Sequence, residues 1–204
     1  MITLTQLYPN HLNLNGDGGN ILVLERRIQW GGLQSSTMHL EPGQSPEARP
    51  DVLVIGHGST AAWRQIYSDF ARLVPTIHGW MQQGTQVIAI SSGFAALHGL
   101  LEGLPSSIQK TTRVSKFVVA ELSGQEVFGY LNSDLVLEPI TRHGNLIGSL
   151  LHGPLLAKNT WLADQIIENA RGEAPRAGIN AEKLDEVELL AKAARDLALE
   201  QSKD

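Results

Sequence analysis

The sequence predicts an α/β fold in which a parallel sheet is covered by helices on both faces. Three observations point there. The chain has 204 residues, close to the size of one compact domain at roughly 150 residues per domain. Apolar residues make up 42% and charged residues 18%, ordinary for a folded globular chain and far from a disordered one. Two short apolar runs are each followed by a helical segment, and strand–helix–strand–helix with buried strands is the pattern of a parallel sheet.

Three Gly/Pro-rich stretches punctuate the chain, Gly16–Gly19, Glu41–Pro50 and Arg171–Gly178. After the first, Asn20–Trp30 carries Ile21, Leu24 and Ile28 at helical spacing, and Gly31-Gly32 ends that helix. Asp51–Ile55, bounded by Pro50 and Gly56, reads as a strand buried on both faces. A long helix is predicted from about Ala61 to Gln83, ended by Gly84. Thr85–Ile90 is the second buried strand, and it breaks at Ser91-Ser92-Gly93 into another helix. The pattern then changes to short strands joined by turns, over Lys116–Leu122, Glu126–Tyr130, Leu135–Ile140 and Leu146–Leu151, with antiparallel pairing expected among them. A helix over Trp161–Asn169 follows His152-Gly153-Pro154. In the last helix, about Ala181 to Leu199, Leu184, Val187, Leu190, Ala194 and Leu197 share one face. Its other face is charged, so the stripe is expected on the body of the domain, with an exposed partner-binding helix as the alternative. Residues 1–204 read as a single domain.

Composition excludes several classes of function. There is no cysteine, which rules out disulfides, thiolate metal sites and a cysteine nucleophile. Sixteen basic residues stand against 21 acidic ones, a net charge of −5. With no basic cluster, that balance argues against nucleic acid or anionic membrane as the main partner. No apolar run approaches the ~20 residues that span a bilayer. The start, Met1 to Gln6, lacks the basic flank and apolar core of a signal peptide, so the cytoplasm is the expected compartment.

In open parallel sheets, ligands bind at the carboxyl ends of the strands. Two such ends stand out. Ile55-Gly56-His57-Gly58-Ser59-Thr60 places glycines at a strand-to-helix turn, where backbone N–H groups can approach a ligand closely. It reads either as an oxyanion hole or anion cradle, or as a tight turn that needs glycine for its dihedrals. The lysine-terminated phosphate-loop pattern is absent. At Ala89-Ile90-Ser91-Ser92-Gly93-Phe94 the chain resembles a nucleophile elbow, with Ser91 exposed above the sheet and Gly93 giving steric room. Ala89 departs from the full Gly-x-Ser-x-Gly form. Ser91 or Ser92 as a plain helix N-cap is the alternative. Of seven histidines, His152 is the best candidate for a general base, because it ends an apolar strand just before Gly153-Pro154.

Several segments carry a resemblance. Leu7-Tyr8-Pro9-Asn10-His11-Leu12-Asn13-Leu14-Asn15-Gly16-Asp17-Gly18-Gly19-Asn20-Ile21 and Arg26-Arg27-Ile28-Gln29-Trp30 are similar to the N-terminal region of class I glutamine amidotransferases of the cobyric acid synthase type. The match is to the glutaminase subunits of lipid II isoglutaminyl synthase in particular. His152-Gly153-Pro154-Leu155-Leu156-Ala157-Lys158-Asn159, with Leu162-Ala163-Asp164, resembles that family's catalytic-histidine segment. Gln109-Lys110-Thr111-Thr112-Arg113 looks like a family stretch whose arginine handles substrate.

The resemblance implies a doubly wound, flavodoxin-like, mostly parallel sheet and a cysteine on the elbow, served by a histidine base. The cysteine attacks the side-chain amide of glutamine, forms a glutamyl thioester and releases ammonia. A Mur-ligase-like, ATP-dependent partner in a heterodimer then uses the ammonia to amidate the peptidoglycan stem peptide. Bound ATP and any metal would belong to that partner, and no cofactor is expected in this chain. Carried across, the resemblance assigns Ser91 to the nucleophile position and His152 to the base. Gly56, His57, Gly58, Ser92 and Arg113 take the oxyanion and substrate-binding positions.

The match breaks where the chemistry lives. The family's elbow reads Cys-Gly-Gly-Tyr-Gln, where this chain has Ser91-Ser92-Gly93-Phe94-Ala95. Its glycine turn reads Gly-Gly-Gly-Gln-Asp, where this chain has Gly56-His57-Gly58-Ser59-Thr60. The stretch between Gly99 and Gln109 is shorter than expected, and the Asn-His-Gly-Gly pattern after Tyr130 is missing. Pro154 stands where many class I amidotransferases carry an acid two residues after the histidine. One engineered change would explain Ser91 alone; departures at Ser59, Thr60, Ser92 and Ala95 point to natural divergence. The expectation is a weak or inactive glutaminase. The alternatives are a non-catalytic subunit with a binding or regulatory role, and a serine hydrolase using Ser91 and His152.

Overall fold

The computed structural model describes residues 1–101, 108–172 and 180–201, so most of the third Gly/Pro-rich stretch and of the segment between Gly99 and Gln109 lies outside the described residues. In chain order the elements are β1 (Ile2–Leu7), α1 (Gly19–Trp30), β2 (Ser35–Leu40), β3 (Val52–Ile55), α2 (Thr60–Gln82), β4 (Gln86–Ile90) and α3 (Ser92–His98). They continue with β5 (Lys110–Leu122), β6 (Gln125–Leu135), β7 (Ile140–His143), β8 (Leu146–Ser149), β9 (Leu151–His152), α4 (Leu155–Lys158), α5 (Thr160–Arg171) and α6 (Ala181–Gln201).

The central sheet has the order β2-β1-β3-β4-β8-β7, and every neighbouring pair is parallel except β7 with β8. A second, antiparallel sheet has the order β5-β6-β9. Period-2 alternation sends successive side chains of the buried strands to opposite faces. Val52, Val54, Ile88 and Ile90 join a core with Ile21, Leu24 and Ile28 of α1 and Leu162 and Ile166 of α5. Leu53, Ile55, Val87 and Ala89 join the other core, beneath Ile66, Phe70 and Ile77 of α2 and Phe94 of α3. The predicted sheet covered on both faces is therefore the observed one.

Several boundaries differ from the sequence reading. β1 and β2 are additional strands. β2 is a largely exposed edge whose polar residues give no apolar run, and its pairing with β1, residue for residue from Ile2–Ser35 to Leu7–Leu40, makes it a strand. Leu135–Ile140 is not a strand: Leu135 ends β6, Ile140 opens β7, and residues 136–139 form the bend between the two sheets. Leu146–Leu151 is divided, because β8 pairs with β4 in one sheet and β9 with β6 in the other. The switch falls at Leu150, whose N–H turns aside to donate to the Pro139 carbonyl at 2.8 Å.

On α6 the apolar stripe is rotated from the predicted one. Leu184 and Ala191 are buried, whereas Leu190 and Leu197 are 62% and 56% exposed. The helix rests on α1 and α4. Arg195 also donates to the Lys158 carbonyl from that side of α6, so polar contact as well as apolar burial sets the helix's rotation.

Candidate active site

The carboxyl ends of β3 and β4 and the β5–β6 hairpin of the second sheet converge on one cleft of about 410 Å³, with His152 of β9 beside its Ser91 wall. His57, Gly58, Trp63, Ser91 and Ser92 line it from the central sheet, and Lys110, Arg113, Asn132 and Asp134 from the β5–β6 hairpin.

Ser91 sits at the turn from β4 into α3 with φ 49° and ψ −110°, a sparsely populated conformation for a non-glycine residue. It makes no side-chain cap to the helix, so the N-cap reading does not hold. Its Oγ instead lies 3.3 Å from His152 Nε2. Register places the histidine there: Tyr130 pairs with His152 and Leu131 with Leu151 across β6 and β9. Gly93 is required by close approach, since a Cβ on it would fall 2.4 Å from the Gly56 carbonyl oxygen.

The glycines of the β3 turn answer to crowding. Gly56 lies beneath the cleft, where a Cβ would meet the Leu12 carbonyl oxygen at 2.0 Å; one on Gly58 would meet the His11 oxygen at 2.8 Å. Neither has the positive φ that a dihedral requirement would show. Three of the expected oxyanion donors, the N–H groups of His57, Gly58 and Ser92, are engaged within the protein. Ser92 N–H donates to His57 Nδ1 at 3.3 Å. Gly58 N–H donates to Ser92 Oγ at 2.9 Å, and His57 N–H to Asp17 Oδ2 at 3.1 Å. Ser92 Oγ also accepts from Trp63 Nε1 at 2.7 Å and donates to the Gly58 carbonyl at 3.0 Å. An oxyanion hole acts through donors aimed at the developing charge; here those donors are already paired.

The electrostatics keep both imidazoles neutral. Burial lowers the pKa of His57 to about 4, helped by His152 and Arg113. Burial likewise holds His152 below its ordinary value, against the opposing pull of the Asn132 carbonyl. The two rings meet edge to face with centroids 4.8 Å apart. Asp17, fully buried beneath the turn, is pushed up to about 6 by that burial. Arg113 reaches the cleft from β5, donating to Asn132 Oδ1 at 3.0 Å and standing 3.7 Å from Asp134.

The structure thus gathers Ser91, His152, His57, Gly58, Ser92 and Arg113 around one cleft. Sequence reasoning missed Asn15, whose side-chain amide donates to His152 Nδ1, and Asn132, whose carbonyl lies 3.1 Å from His152 Nε2. It also missed Asp17, Trp63, Lys110 and Asp134. Asn15, Asp17 and Lys110 lie within the segments that carry the resemblance, but nothing in their spacing assigns them to the cleft. Among the described residues no group of three or more side chains suited to a metal ion occurs, and no helix is long and apolar enough to cross a membrane.

Comparison with known proteins bears on the fold and on sequence similarity. No protein-family model matches the chain. The lipid II isoglutaminyl synthase (glutamine-hydrolyzing) subunit GatD of Staphylococcus aureus (strain N315) is 23% identical, over 94% of this chain and 93% of its own length. A glutamine amidotransferase from Thermotoga maritima superposes with a TM-score of 0.52 at 15% identity, covering 98% of this chain and 97% of its own. The chain resembles GatD in sequence and has a glutamine amidotransferase-like fold. A further solved structure shares the amidotransferase-like fold: a GMP synthase component from Thermoplasma acidophilum has a TM-score of 0.51 at 10% identity, over 84% of this chain and 94% of its own.

Proposed function

We propose that this chain is a glutamine amidotransferase-like subunit that keeps a glutamine pocket and has lost most or all of its glutaminase activity. The observation that carries the reading is residue 91. Its backbone, its elbow and its distance to His152 are those of a nucleophile, yet the side chain is a hydroxyl. A thiol with a pKa near ~8.5 is readily lowered to a thiolate by a histidine or a cation. A serine must instead lose its proton during attack, to a base that a third group orients. Among the described residues the hydrogen-bond partners of His152 are Asn15, Ser91 and the Asn132 carbonyl, none of them a carboxylate.

The cleft suits a zwitterionic amino acid. Lys110 and Arg113 offer cations to an α-carboxylate and Asp134 an anion to an α-ammonium, while Ser91, which is buried, and its neighbour His152 would meet the side-chain amide. Similarity to GatD extends the proposal to a heterodimer with a Mur-ligase-like, ATP-dependent subunit in peptidoglycan stem-peptide amidation. A purely binding or regulatory role in that complex is favoured by the internally paired donors at Ser92, Gly58 and His57.

Titration calorimetry with L-glutamine tests the pocket. The native chain should bind, and Arg113→Ala should weaken binding about tenfold or more, the loss of ~1.5–3 kcal/mol for a hydrogen bond to a charged group. Absence of any glutamine binding would overturn the reading. Co-expression with a Mur-ligase-like subunit should yield a stable heterodimer, and failure to associate would remove the lipid II assignment.

A further inference from the structure

The ring that would serve as base to residue 91 is held by two asparagines from distant parts of the chain. His152 Nε2 lies 3.1 Å from the backbone carbonyl of Asn132, an atom that can only accept. A proton on Nε2 turns that approach into a hydrogen bond, whereas a bare Nε2 would set its lone pair against those of the oxygen. Ser91 Oγ, at 3.3 Å from the same nitrogen, is the longer contact. A neutral imidazole carries a single N–H. With Nε2 protonated, Nδ1 is the acceptor, and it receives the side-chain N–H of Asn15.

Both asparagines are themselves held. Leu14 N–H donates to the His57 carbonyl at 3.0 Å and Gly16 N–H to the Asn13 carbonyl at 3.2 Å, bracing the loop on either side of Asn15. Gly18 N–H donates to Asn13 Oδ1 at 2.8 Å, closing the same loop. Asn132 lies within β6, and Arg113 engages its side chain. Burial keeps the ring neutral at pH 7.

We propose that Asn15 is a positioning residue that, with the Asn132 carbonyl, holds His152 in the Nε2–H tautomer, which has no lone pair free to take a proton from residue 91. A general base needs the reverse arrangement, Nδ1–H held by an acceptor and Nε2 bare. The consequence for catalysis rests on the amidotransferase reading above; the tautomer itself does not. A carboxylate at position 15 can only accept, and a charge-assisted hydrogen bond is roughly twice as strong as a neutral one, so Asn15→Asp should draw a proton onto Nδ1.

The test is long-range 1H–15N correlation of the histidine rings in the labelled full chain at neutral pH, with His152 assigned from the signals lost in His152→Gln. The native ring is expected to show a proton on Nε2 and none on Nδ1, and Asn15→Asp a proton on Nδ1. A native ring protonated on Nδ1 overturns the proposal even where the variant does not fold. An Asn15→Asp ring with Nδ1 still bare overturns it as well. Glutamine takes no part in these spectra, so failure here is separate from failure of the chain to bind it.

Discussion

Asp17 and His57 are joined by a backbone hydrogen bond beneath the cleft, and they respond to pH in opposite senses. The folded pKa of Asp17, about 6, lies above its ordinary 3.8. Between those values the folded state holds a proton that the unfolded state has lost, so this contribution to stability falls as pH rises. The folded pKa of His57, about 4, lies below its ordinary 6.5. There the unfolded state holds the extra proton, and stability rises with pH across the window. Asp17→Asn removes the first effect and leaves the second. Chemical denaturation at several values through that window should show the variant's stability climbing more steeply with pH than the native chain's, by up to about 1.4 kcal/mol per pH unit. Equal slopes would contradict the burial of one carboxyl against one imidazole. At this scale Ser91 and His152 were legible, because an elbow and a strand end are local features of sequence. Asn15 was not, since it meets His152 across 137 positions through a loop whose path only the fold defines.

Elements reach the site through a few specific contacts. Arg27 on α1 is 1% exposed and forms a two-pronged pair with Asp164 on α5, Nε to Oδ1 and NH2 to Oδ2, both at 2.6 Å. These helices cover the face of the sheet on which α4 follows His152, so the pair locks together the N-terminal and histidine-bearing parts of the chain. Asp164→Ala leaves a buried guanidinium without its counter-charge, and the loss should be about 3–5 kcal/mol, read as a shift in urea midpoint at constant m-value. A loss below ~1 kcal/mol would mean that Arg27 finds another partner on relaxation. The strands buried on both faces were read correctly because burial leaves continuous apolar runs at residues 52–55 and 86–90. The edge strand β2 was not, because its pairing with β1 is a tertiary fact. The stripe on α6 was misplaced because helical spacing permits more than one apolar face, and contacts with α1 and α4 decide between them.

Across the whole molecule, the site is a seam between two sheets. The central sheet supplies Ser91 and His57; the small antiparallel sheet supplies His152, Asn132 and Arg113, and the chain crosses between them at Leu150. The fold is shared with solved glutamine amidotransferases, and on the proposed reading three features would work against glutamine hydrolysis: a hydroxyl at residue 91, backbone donors at His57, Gly58 and Ser92 paired internally, and a histidine whose Nε2 faces a carbonyl. The sequence reading anticipated the first from the absence of cysteine. The other two emerge only when loops far apart in sequence are brought together. Ammonia release from L-glutamine by the native chain, alone and with a Mur-ligase-like partner, compared with Ser91→Ala under the same conditions, tests the account most directly. The account predicts that ammonia release by the native chain stays close to background and to that of Ser91→Ala; vigorous ammonia production by the native chain that Ser91→Ala abolishes would contradict it.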